Sequence, residues 1–332
     1  MSFRIHNLRS GIIESSHAVS AAVCRPDGSV VARSDDPERL TIMRSSAKPF
    51  QALPLVLDGV VERFGITDQE LALACASHSS ERKQVELVAA WLNRIECVES
   101  DLACGPHRPL SKELAVRDFD SPSEPDPLPP SPLTSNCSGK HTGMLALAKH
   151  HGWDIAGYNQ RGHPVQARCL QEVARFCGVT QDEVGEAVDG CSAVTFAVPL
   201  RAMATAFAKL VASNDAGPKA IVHAMTTNPY LVGGEGRLCT AAMEAYPGKL
   251  LTKVGAEGVY GAALIDRQLG IAIKVEDGSA RAATVALVAL LDQLDLDPSP
   301  SSLLPRFASL PILNTRREQV GLMRAVGEVE IV

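Results

Sequence analysis

The sequence predicts an α+β fold in which an antiparallel sheet is flanked by helices. Residues 18–33 (AVSAAVCRPDGSVVAR) are two apolar runs joined by Pro-Asp-Gly, a combination typical of a β-hairpin. Residues 248–275 contain three short apolar runs separated by turn residues, which indicates an antiparallel meander. Helical patterns fill the region between them. Strands at both ends and helices in the middle are typical of a mixed α+β chain.

Apolar residues recur at helical spacing through the middle of the chain. Residues 45–65 predict a helix, because Ser and Pro lie near its start and Gly65 lies at its end. Residues 80–95 predict an amphipathic helix. Further helices are predicted over residues 68–76, 140–151, 164–178, 199–213, 216–227 and 280–293. The last of these is rich in Ala and is expected to pack on the meander.

A proline-rich segment interrupts this pattern. Residues 121–132 contain six prolines among Ser and Asp residues. Because proline removes a backbone donor and restricts the residue before it, neither a helix nor a central strand can form at this density. The segment is therefore predicted to be a loop within a single domain that spans residues 1–332.

The composition excludes several classes of protein. The 332 residues carry a formal net charge of -6 and no block of Lys and Arg, which argues against nucleic acid as a partner. No apolar run reaches the roughly 18 residues needed to cross a membrane, and residues 1–17 lack the apolar core of a signal peptide. A cytoplasmic location is therefore expected. The nine cysteines are expected to be reduced there, without disulfides.

The run Ser45-Ser46-Ala47-Lys48 places a serine and a lysine three residues apart. In a helix this spacing puts both side chains on one face. A serine hydroxyl is a poor nucleophile at neutral pH and needs a base within hydrogen-bond reach, which a neutral lysine can provide. The same spacing fits a serine that caps a helix beside an exposed lysine. The pair alone does not decide between these interpretations.

Two further motifs follow Ser45 and Lys48 in the order found in serine β-lactamases and penicillin-binding proteins, which have a second serine motif and then Lys-Thr-Gly. The corresponding residues are Ser-His-Ser at 77–79 and Lys-Val-Gly at 253–255. Val254 departs from that pattern, since its side chain cannot donate a hydrogen bond to a bound carboxylate. The three partial matches therefore favour serine–lysine chemistry without indicating a β-lactamase.

Cys137, His141 and Cys191 are candidate metal ligands, because zinc binds thiolate and imidazole groups. However, the chain has no Cys-x-x-Cys pair, and more than 50 residues separate Cys137 from Cys191. Spacing alone therefore favours buried thiols near a loop and leaves the zinc site open.

Four motifs occur along the chain: Arg9-Ser10-Gly11 with Glu14 and His17, RSSAKPFQA at 44–52, CSGKH at 137–141 and KVGAEG at 253–258. Together they resemble the asparaginase II family, the rhizobial-type or class 3 L-asparaginases. The similarity extends over nearly the whole chain, and RSSAKPFQA and CSGKH are highly specific. The resemblance implies a serine-β-lactamase-like fold and a homodimer.

The resemblance also implies two serine–lysine pairs, Ser45 with Lys48 and Ser77 with Lys253. Ser45 would be the nucleophile and Lys48 its base, while Ser77 and Lys253 would relay protons and polarise the hydroxyl. The implied reaction is hydrolysis of L-asparagine. The serine attacks the side-chain amide carbon, ammonia leaves, and water releases aspartate from the acyl-enzyme. Backbone N–H groups near Ser45 would stabilise the oxyanion.

By the same resemblance, zinc would be held by Cys137, Lys140 and Cys191. A lysine ligand must be neutral, and the charge of the zinc would favour that form. The zinc is expected to anchor the substrate pocket rather than to activate water. Further candidates for binding the substrate are the neighbours of these motifs, namely Arg44, His141 and Asp189, together with Cys239.

Two alternatives remain at this point. The first is a penicillin-interacting serine hydrolase of the same fold. The second is a non-catalytic amino-acid-binding protein that has kept the pocket. The presence of both lysines argues against the second alternative, because an inactive homologue has no chemical need for them.

Overall fold

The structure is a computed structural model that describes residues 3–107, 128–296, 298 and 302–332. Residues 121–127 of the predicted proline-rich loop lie outside this range. Residues 128–132 are irregular apart from one bridge between His107 and Ser131.

The described residues form 12 strands and 11 α-helices. The strands are β1 (Arg4–Arg9), β2 (Ile12–Cys24), β3 (Val30–Ser34), β4 (Leu40–Ile42), β5 (Gly185–Val188), β6 (Val194–Pro199), β7 (Leu250–Val254), β8 (Val259–Leu264), β9 (Leu269–Val275), β10 (Ser309–Leu313), β11 (Gln319–Val326) and β12 (Glu330–Ile331). The helices are α1 (Lys48–Leu57), α2 (Val60–Phe64), α3 (Asp68–Ala74), α4 (Arg82–Arg94), α5 (Ser138–His151), α6 (Pro164–Cys177), α7 (Leu200–Ala212), α8 (Ala216–Thr227), α9 (Pro229–Val232), α10 (Leu238–Ala245) and α11 (Ala280–Gln293).

The chain divides into two compact units. The first contains Met1–Ser46, Val198–Ala212 and Ala241–Val332, and the second contains Ala47–Ala197 and Ser213–Thr240. The first unit is built on an antiparallel sheet in the order β10-β11-β1-β2-β9-β8-β7, in which β3 also pairs with β2 and β12 pairs with β3. Both predicted strand regions, 18–33 and 248–275, belong to this sheet.

Two helices of the first unit pack on the sheet. Helix α7 lies against β2, β8 and β9, and α11 lies against β8, β9 and β11. Glycines in the sheet allow α7 to approach closely. A side-chain carbon at Gly270 would lie 1.9 Å from the carbonyl oxygen of Ala204, and one at Gly261 would lie 2.0 Å from the ring of Phe207. The predicted antiparallel sheet flanked by helices, and hence the α+β class, is confirmed.

The second unit is mainly helical. Helix α1 packs against α5, α6 and α8, while α3 packs against α5 and α8. Residues 138–148 of α5 are buried all round, as expected for a helix at the centre of a unit. Thr67 and Glu70 form a capping box at the start of α3.

The structure corrects the predicted helix over residues 45–65. Helix α1 ends at Leu57, and α2 begins at Val60 after Gly59, which has a left-handed φ of 78°. Gly59 lacks a Cβ and adopts this conformation without strain, so the chain turns between the two helices.

The sequence analysis also missed strands. In the second unit, residues of β5 pair antiparallel with residues of β6. In the first unit, β10, β11 and β12 follow the last helix and extend the sheet. No helix in the described part of the chain is long and apolar enough to span a membrane. All nine cysteines are buried and none is in a disulfide, as predicted.

Candidate active site

Ser45 lies in a 3₁₀ turn, Arg44–Ala47, that leads directly into α1. The sequence places Ser45 in the first turn of the helix, whereas in the structure α1 begins at Lys48. The hydroxyl of the adjacent Ser46 is buried and donates to the carbonyl oxygen of Met43 at 2.6 Å. Ser45 is half-buried and is therefore the more accessible of the two serines.

The first unit also brings the Lys-Val-Gly motif beside this turn. A side-chain carbon at Gly255 would lie 2.8 Å from the carbonyl oxygen of Met43, so only glycine fits at this approach. Met43 precedes Ser45 by two residues, and Gly255 follows Lys253 by two. Lys253 is fully buried at the end of β7, and its Nζ atom donates to the carbonyl oxygen of Val254 at 2.9 Å.

Lys48 belongs to the second unit and is 1% exposed. Its Nζ atom donates to the carbonyl oxygen of Ala76 at 2.5 Å, to Oγ of Ser77 at 3.1 Å and to the carbonyl oxygen of Asn136 at 3.4 Å. These three acceptors are uncharged, and Lys48 makes no ion pair within the described ranges. A buried charge without an opposite charge is costly. The alternative of an exposed lysine beside a serine cap is wrong, since α1 also has no side-chain cap.

Ser77 lies in an irregular segment, residues 76–81, that follows α3. Its neighbour His78 is fully buried, and its Nε2 atom lies 2.8 Å from Oγ of Ser138. The Nδ1 atom accepts the backbone N–H of Ser80. Burial and the positive charges of Lys48 and Arg237 lower the pKa of His78 to about 3, so the ring is neutral at pH 7. His78 therefore has a structural role as a hydrogen-bonding residue.

The three candidate zinc ligands come together in the second unit. Nζ of Lys140 lies 3.0 Å from Sγ of Cys191, and Sγ of Cys137 hydrogen-bonds to the same sulfur. All three side chains are buried. Cys137 and Lys140 are one turn apart at the start of α5, while Cys191 lies in the turn between β5 and β6.

The two thiols have opposite protonation tendencies. The hydrogen bond from Cys137, together with Lys140, lowers the pKa of Cys191 well below its usual value, although burial opposes this. The same hydrogen bond and burial raise the pKa of Cys137. Burial disfavours the ammonium form of Lys140, but the neighbouring sulfurs outweigh it and raise the pKa of Lys140. Without a metal, the cluster is therefore an ammonium–thiolate pair beside a neutral thiol.

His141 is fully buried beside this cluster. Its Nδ1 atom lies 2.6 Å from Oη of Tyr158, which also accepts the backbone N–H of Ala103. Its Nε2 atom has no hydrogen-bond partner of ordinary geometry among the described residues, although the ring interacts with the Cys191 sulfur. Burial lowers the pKa of His141 and keeps the ring neutral.

The remaining candidates occupy three other positions. Asp189 begins the turn that carries Cys191, where its backbone N–H donates to the carbonyl oxygen of Ala193 at 2.8 Å and Ser192 has a left-handed φ of 67°. The Asp189 carboxylate is half-buried and adds to the charges around Lys140. Arg44 is half-buried and has a left-handed φ of 52°. Cys239 is buried on α10.

The donor atoms in the cluster fit a zinc ion. Two sulfurs and an amine nitrogen meet in a buried position, and soft sulfur and nitrogen donors are those that zinc prefers. The unsatisfied Nε2 of His141 lies beside them. Across the described residues, no group of three or more His, Cys, Asp or Glu side chains is arranged to hold a metal. A site here therefore depends on Lys140 as a ligand.

Tyr158 is a contact that the sequence analysis missed. It is 1% exposed, and burial raises the pKa of its hydroxyl, which stays protonated. The hydroxyl orients His141 from a loop 17 residues away. Sequence spacing gives no signal for such a pair.

Comparison with solved structures gives distant similarities. A β-lactamase from Mycobacterium bovis is 14% identical, with 84% of this chain and 95% of that chain covered and a TM-score of 0.41. An octameric penicillin-binding protein homologue from Pyrococcus abyssi is 14% identical, with 86% and 75% covered and a TM-score of 0.42. A putative β-lactamase from Bacteroides dorei is 12% identical, with 82% and 93% covered and a TM-score of 0.40.

No curated protein matches the chain. The family model of L-asparaginase II matches residues 5–325, a range that contains all of the candidate serines, lysines and cysteines described above. The chain therefore belongs to the L-asparaginase II family.

Proposed function

We propose that the protein is an L-asparagine amidohydrolase in which Ser45 is the nucleophile and Lys48 its base. Membership of the family supports a hydrolase of the asparaginase type. The observation that carries the assignment of the residues is the position of Lys48. It is a buried amine held by three uncharged acceptors, and it follows Ser45 by one 3₁₀ turn.

The proposed reaction has two steps. The Oγ atom of Ser45 attacks the side-chain amide carbon of asparagine, and its proton passes to the neutral amine of Lys48. The C–N bond breaks, the nitrogen takes up the proton, and ammonia leaves. Water then attacks the resulting ester carbon, and aspartate leaves as Ser45 regains its proton. Backbone N–H groups at the 3₁₀ turn would stabilise the oxyanion, each by roughly 3 kcal/mol.

The second pair, Ser77 and Lys253, is proposed to relay protons and to polarise the Ser45 hydroxyl. Two observations support this role. Ser77 accepts a hydrogen bond from Lys48, and Lys253 lies at the end of the strand whose Gly255 packs against Met43. Both side chains are buried, as groups that handle protons away from bulk water need to be.

We also propose that Cys137, Lys140 and Cys191 hold zinc. Bound there, zinc would supply a fixed positive charge and a rigid surface beside His141. The side chains of Arg44, His141 and Asp189, with Cys239, are proposed to contact the α-amino and α-carboxylate groups of the substrate. The protein is further proposed to be a homodimer, which light scattering of the purified protein tests directly.

Ammonia release is the decisive assay for the function. The purified protein is incubated with L-asparagine and, separately, with L-glutamine, and ammonia and aspartate are measured. We expect one aspartate for each ammonia from asparagine. Incubation with a β-lactam followed by mass spectrometry tests the penicillin-interacting alternative, for which a stable adduct on Ser45 would be the expected result. No ammonia from either amide would reject the proposed function.

A further inference from the structure

Arg237 is a buried cation that makes no ion pair with any residue that the structure describes. It is 6% exposed and directly precedes α10. The one hydrogen bond that its guanidinium makes to the described residues runs from Nη1 to Oγ of Ser79 at 3.2 Å. A guanidinium has five N–H donors and stays charged at any ordinary pH. Most of these donors therefore remain available for a ligand.

The carboxylate of Glu81 lies near Arg237 but accepts a hydrogen bond from the backbone. A side-chain carbon at Gly234 would meet both Oγ of Ser79 and Oε1 of Glu81, so this carboxylate lies close to the Arg237 contact. However, Oε1 of Glu81 accepts the backbone N–H of Glu235 at 2.8 Å, and it makes no ion pair with Arg237. Unlike Arg168, which pairs with Asp58 and Glu172 in the same unit, Arg237 pairs with no carboxylate in the described part of the chain.

Arg237 also lies close to Lys48. The two side chains hydrogen-bond to serines that are two residues apart, Arg237 to Ser79 and Lys48 to Ser77. Two residues of chain span at most about 7 Å. His78, whose ring both side chains influence, lies between these serines. Arg237 and the Lys48 amine are therefore held by the same short segment of the second unit, each with an uncharged hydrogen-bond partner.

A buried guanidinium whose hydrogen-bond partner is uncharged is stabilised by an anion that binds beside it, because an unpaired buried charge is costly. We propose that Arg237 binds the α-carboxylate of the amino-acid substrate and is a specificity-determining residue. This inference rests on the proposed function. A guanidinium matches the two oxygens of a carboxylate with two parallel hydrogen bonds. In asparagine, only two carbon atoms separate the carboxylate from the amide carbon, so a group that binds the carboxylate must be held near the Lys48 amine, as Arg237 is through Ser79.

The proposal is tested by removing the carboxylate from the substrate and the cation from the protein. The substrates are L-asparagine and 3-aminopropanamide, which has the same amide and amine but no carboxylate. Arg237→Gln is expected to lower kcat/KM for asparagine by roughly 30-fold or more, as for a buried charge pair that loses one partner. It is expected to change kcat/KM for 3-aminopropanamide by less than about 3-fold. Arg237→Lys keeps the charge and is expected to recover part of the preference for asparagine.

A matched control separates binding from folding. Arg168→Gln removes a partly buried arginine of the same unit that pairs with Asp58, so it is expected to lower thermal stability and leave the ratio between the two substrates unchanged. If 3-aminopropanamide reacts too slowly, its inhibition constant against asparagine turnover replaces its kcat/KM, and Arg237→Gln is expected to leave that constant unchanged.

The outcomes are distinct. If wild-type protein hydrolyses asparagine and Arg237→Gln lowers kcat/KM for both substrates equally, or leaves both unchanged, Arg237 does not bind the carboxylate and the proposal is overturned. If the wild-type protein releases no ammonia from asparagine, the proposed function itself fails.

Discussion

The Nζ atom of Lys48 lies 3.1 Å from Oγ of Ser77, although the two residues are 29 positions apart, Lys48 at the start of α1 and Ser77 in the irregular segment after α3. The same amine donates to two backbone carbonyl oxygens, so its position is fixed by three hydrogen bonds. Ser45 is the half-buried serine of the 3₁₀ turn before the same helix. This arrangement gives each of the two serines a separate, testable consequence.

Replacing the proposed nucleophile should abolish turnover. Ser45→Ala removes the hydroxyl that would attack the amide, and we expect ammonia release from asparagine to fall by roughly 1,000-fold or more. Its thermal midpoint should stay close to that of the wild type, because Ser45 is half-buried. The adjacent Ser46→Ala is the control, since it loses a buried hydrogen bond to Met43 and is expected to keep activity. Near wild-type activity in Ser45→Ala would show that another residue is the nucleophile.

Replacing Ser77 should impair catalysis more than folding. Ser77→Ala leaves Lys48 with its two carbonyl acceptors and removes the hydroxyl proposed to relay protons. We expect kcat to fall by at least about 100-fold and the free energy of unfolding to fall by about 1 kcal/mol. Ser80→Ala, in the same segment as Ser77, loses a hydrogen bond to the carbonyl oxygen of Thr134. It should lower the free energy of unfolding by a similar amount and leave kcat unchanged. Equal kcat values for the two variants would contradict the role of Ser77.

Zinc content should depend on the two clustered thiols. We expect wild-type protein to retain zinc after dialysis, and Cys137→Ser and Cys191→Ser to lose it, because a serine hydroxyl is a poor zinc ligand. Elemental analysis of the dialysed proteins measures this without an activity assay. Cys177→Ser, a buried thiol at the end of α6, should retain the metal. Full zinc content in both cluster variants would place the metal elsewhere.

The protein should become less stable as the pH falls below the range in which an ordinary histidine takes up its proton. The pKa of His78 is lowered from 6.5 to about 3 in the folded protein, so between these values the unfolded chain binds a proton that the folded chain does not. The contribution of His78 is complete above pH 6.5 and decreases by up to about 1.4 kcal/mol per pH unit as the pH falls towards 3. Denaturant unfolding at several pH values measures this slope.

His78→Gln isolates this contribution from that of the other histidines. The variant is less stable at pH 7.5, but its free energy of unfolding should decrease less steeply below pH 6.5. His223→Gln, at an exposed position, should leave the slope unchanged. Parallel curves for His78→Gln and the wild type would mean that the buried ring is not held neutral.

A methyl group added at Gly139 of α5 should destabilise the second unit. A side-chain carbon at Gly139 would lie 2.3 Å from the carbonyl oxygen of Leu73, and backbone lies on both sides of the contact. Gly139→Ala should therefore destabilise the protein by about 2 kcal/mol or more. Gly152→Ala, at a left-handed but open position, should cost about 1 kcal/mol. The order of the two thermal midpoints checks this, and the reverse order would contradict the close packing of α5 on α3.

Much of the fold could be predicted because the strongest patterns are local. Helix α11 matches the predicted residues 280–293, and β7, β8 and β9 form the predicted meander. The strands β10 and β11 were missed because they are only partly buried and contain Pro311 and Gly321, which weaken the alternation on which a strand prediction depends. The break after α1 depends on one left-handed glycine, which a periodic apolar pattern conceals.

The candidate site was predictable only where residues are close in sequence or belong to a family motif. Ser45 with Lys48, and Cys137 with Lys140, are such pairs. In contrast, the hydrogen bond between Tyr158 and His141 and the contact between Arg237 and Ser79 depend on how distant segments meet. Burial determines the chemistry of both contacts, and sequence spacing does not indicate whether a single polar side chain is buried.

Because every one of the nine thiols is inside the folded chain, cysteine-modifying reagents will not label the native protein quickly. The rate at which each cysteine is alkylated instead reports how often the segment that covers it opens. Mass spectrometry after brief alkylation would show, for each thiol, which parts of the two units open first. The chain thus carries its own set of probes for partial unfolding, distributed from β2 to α10.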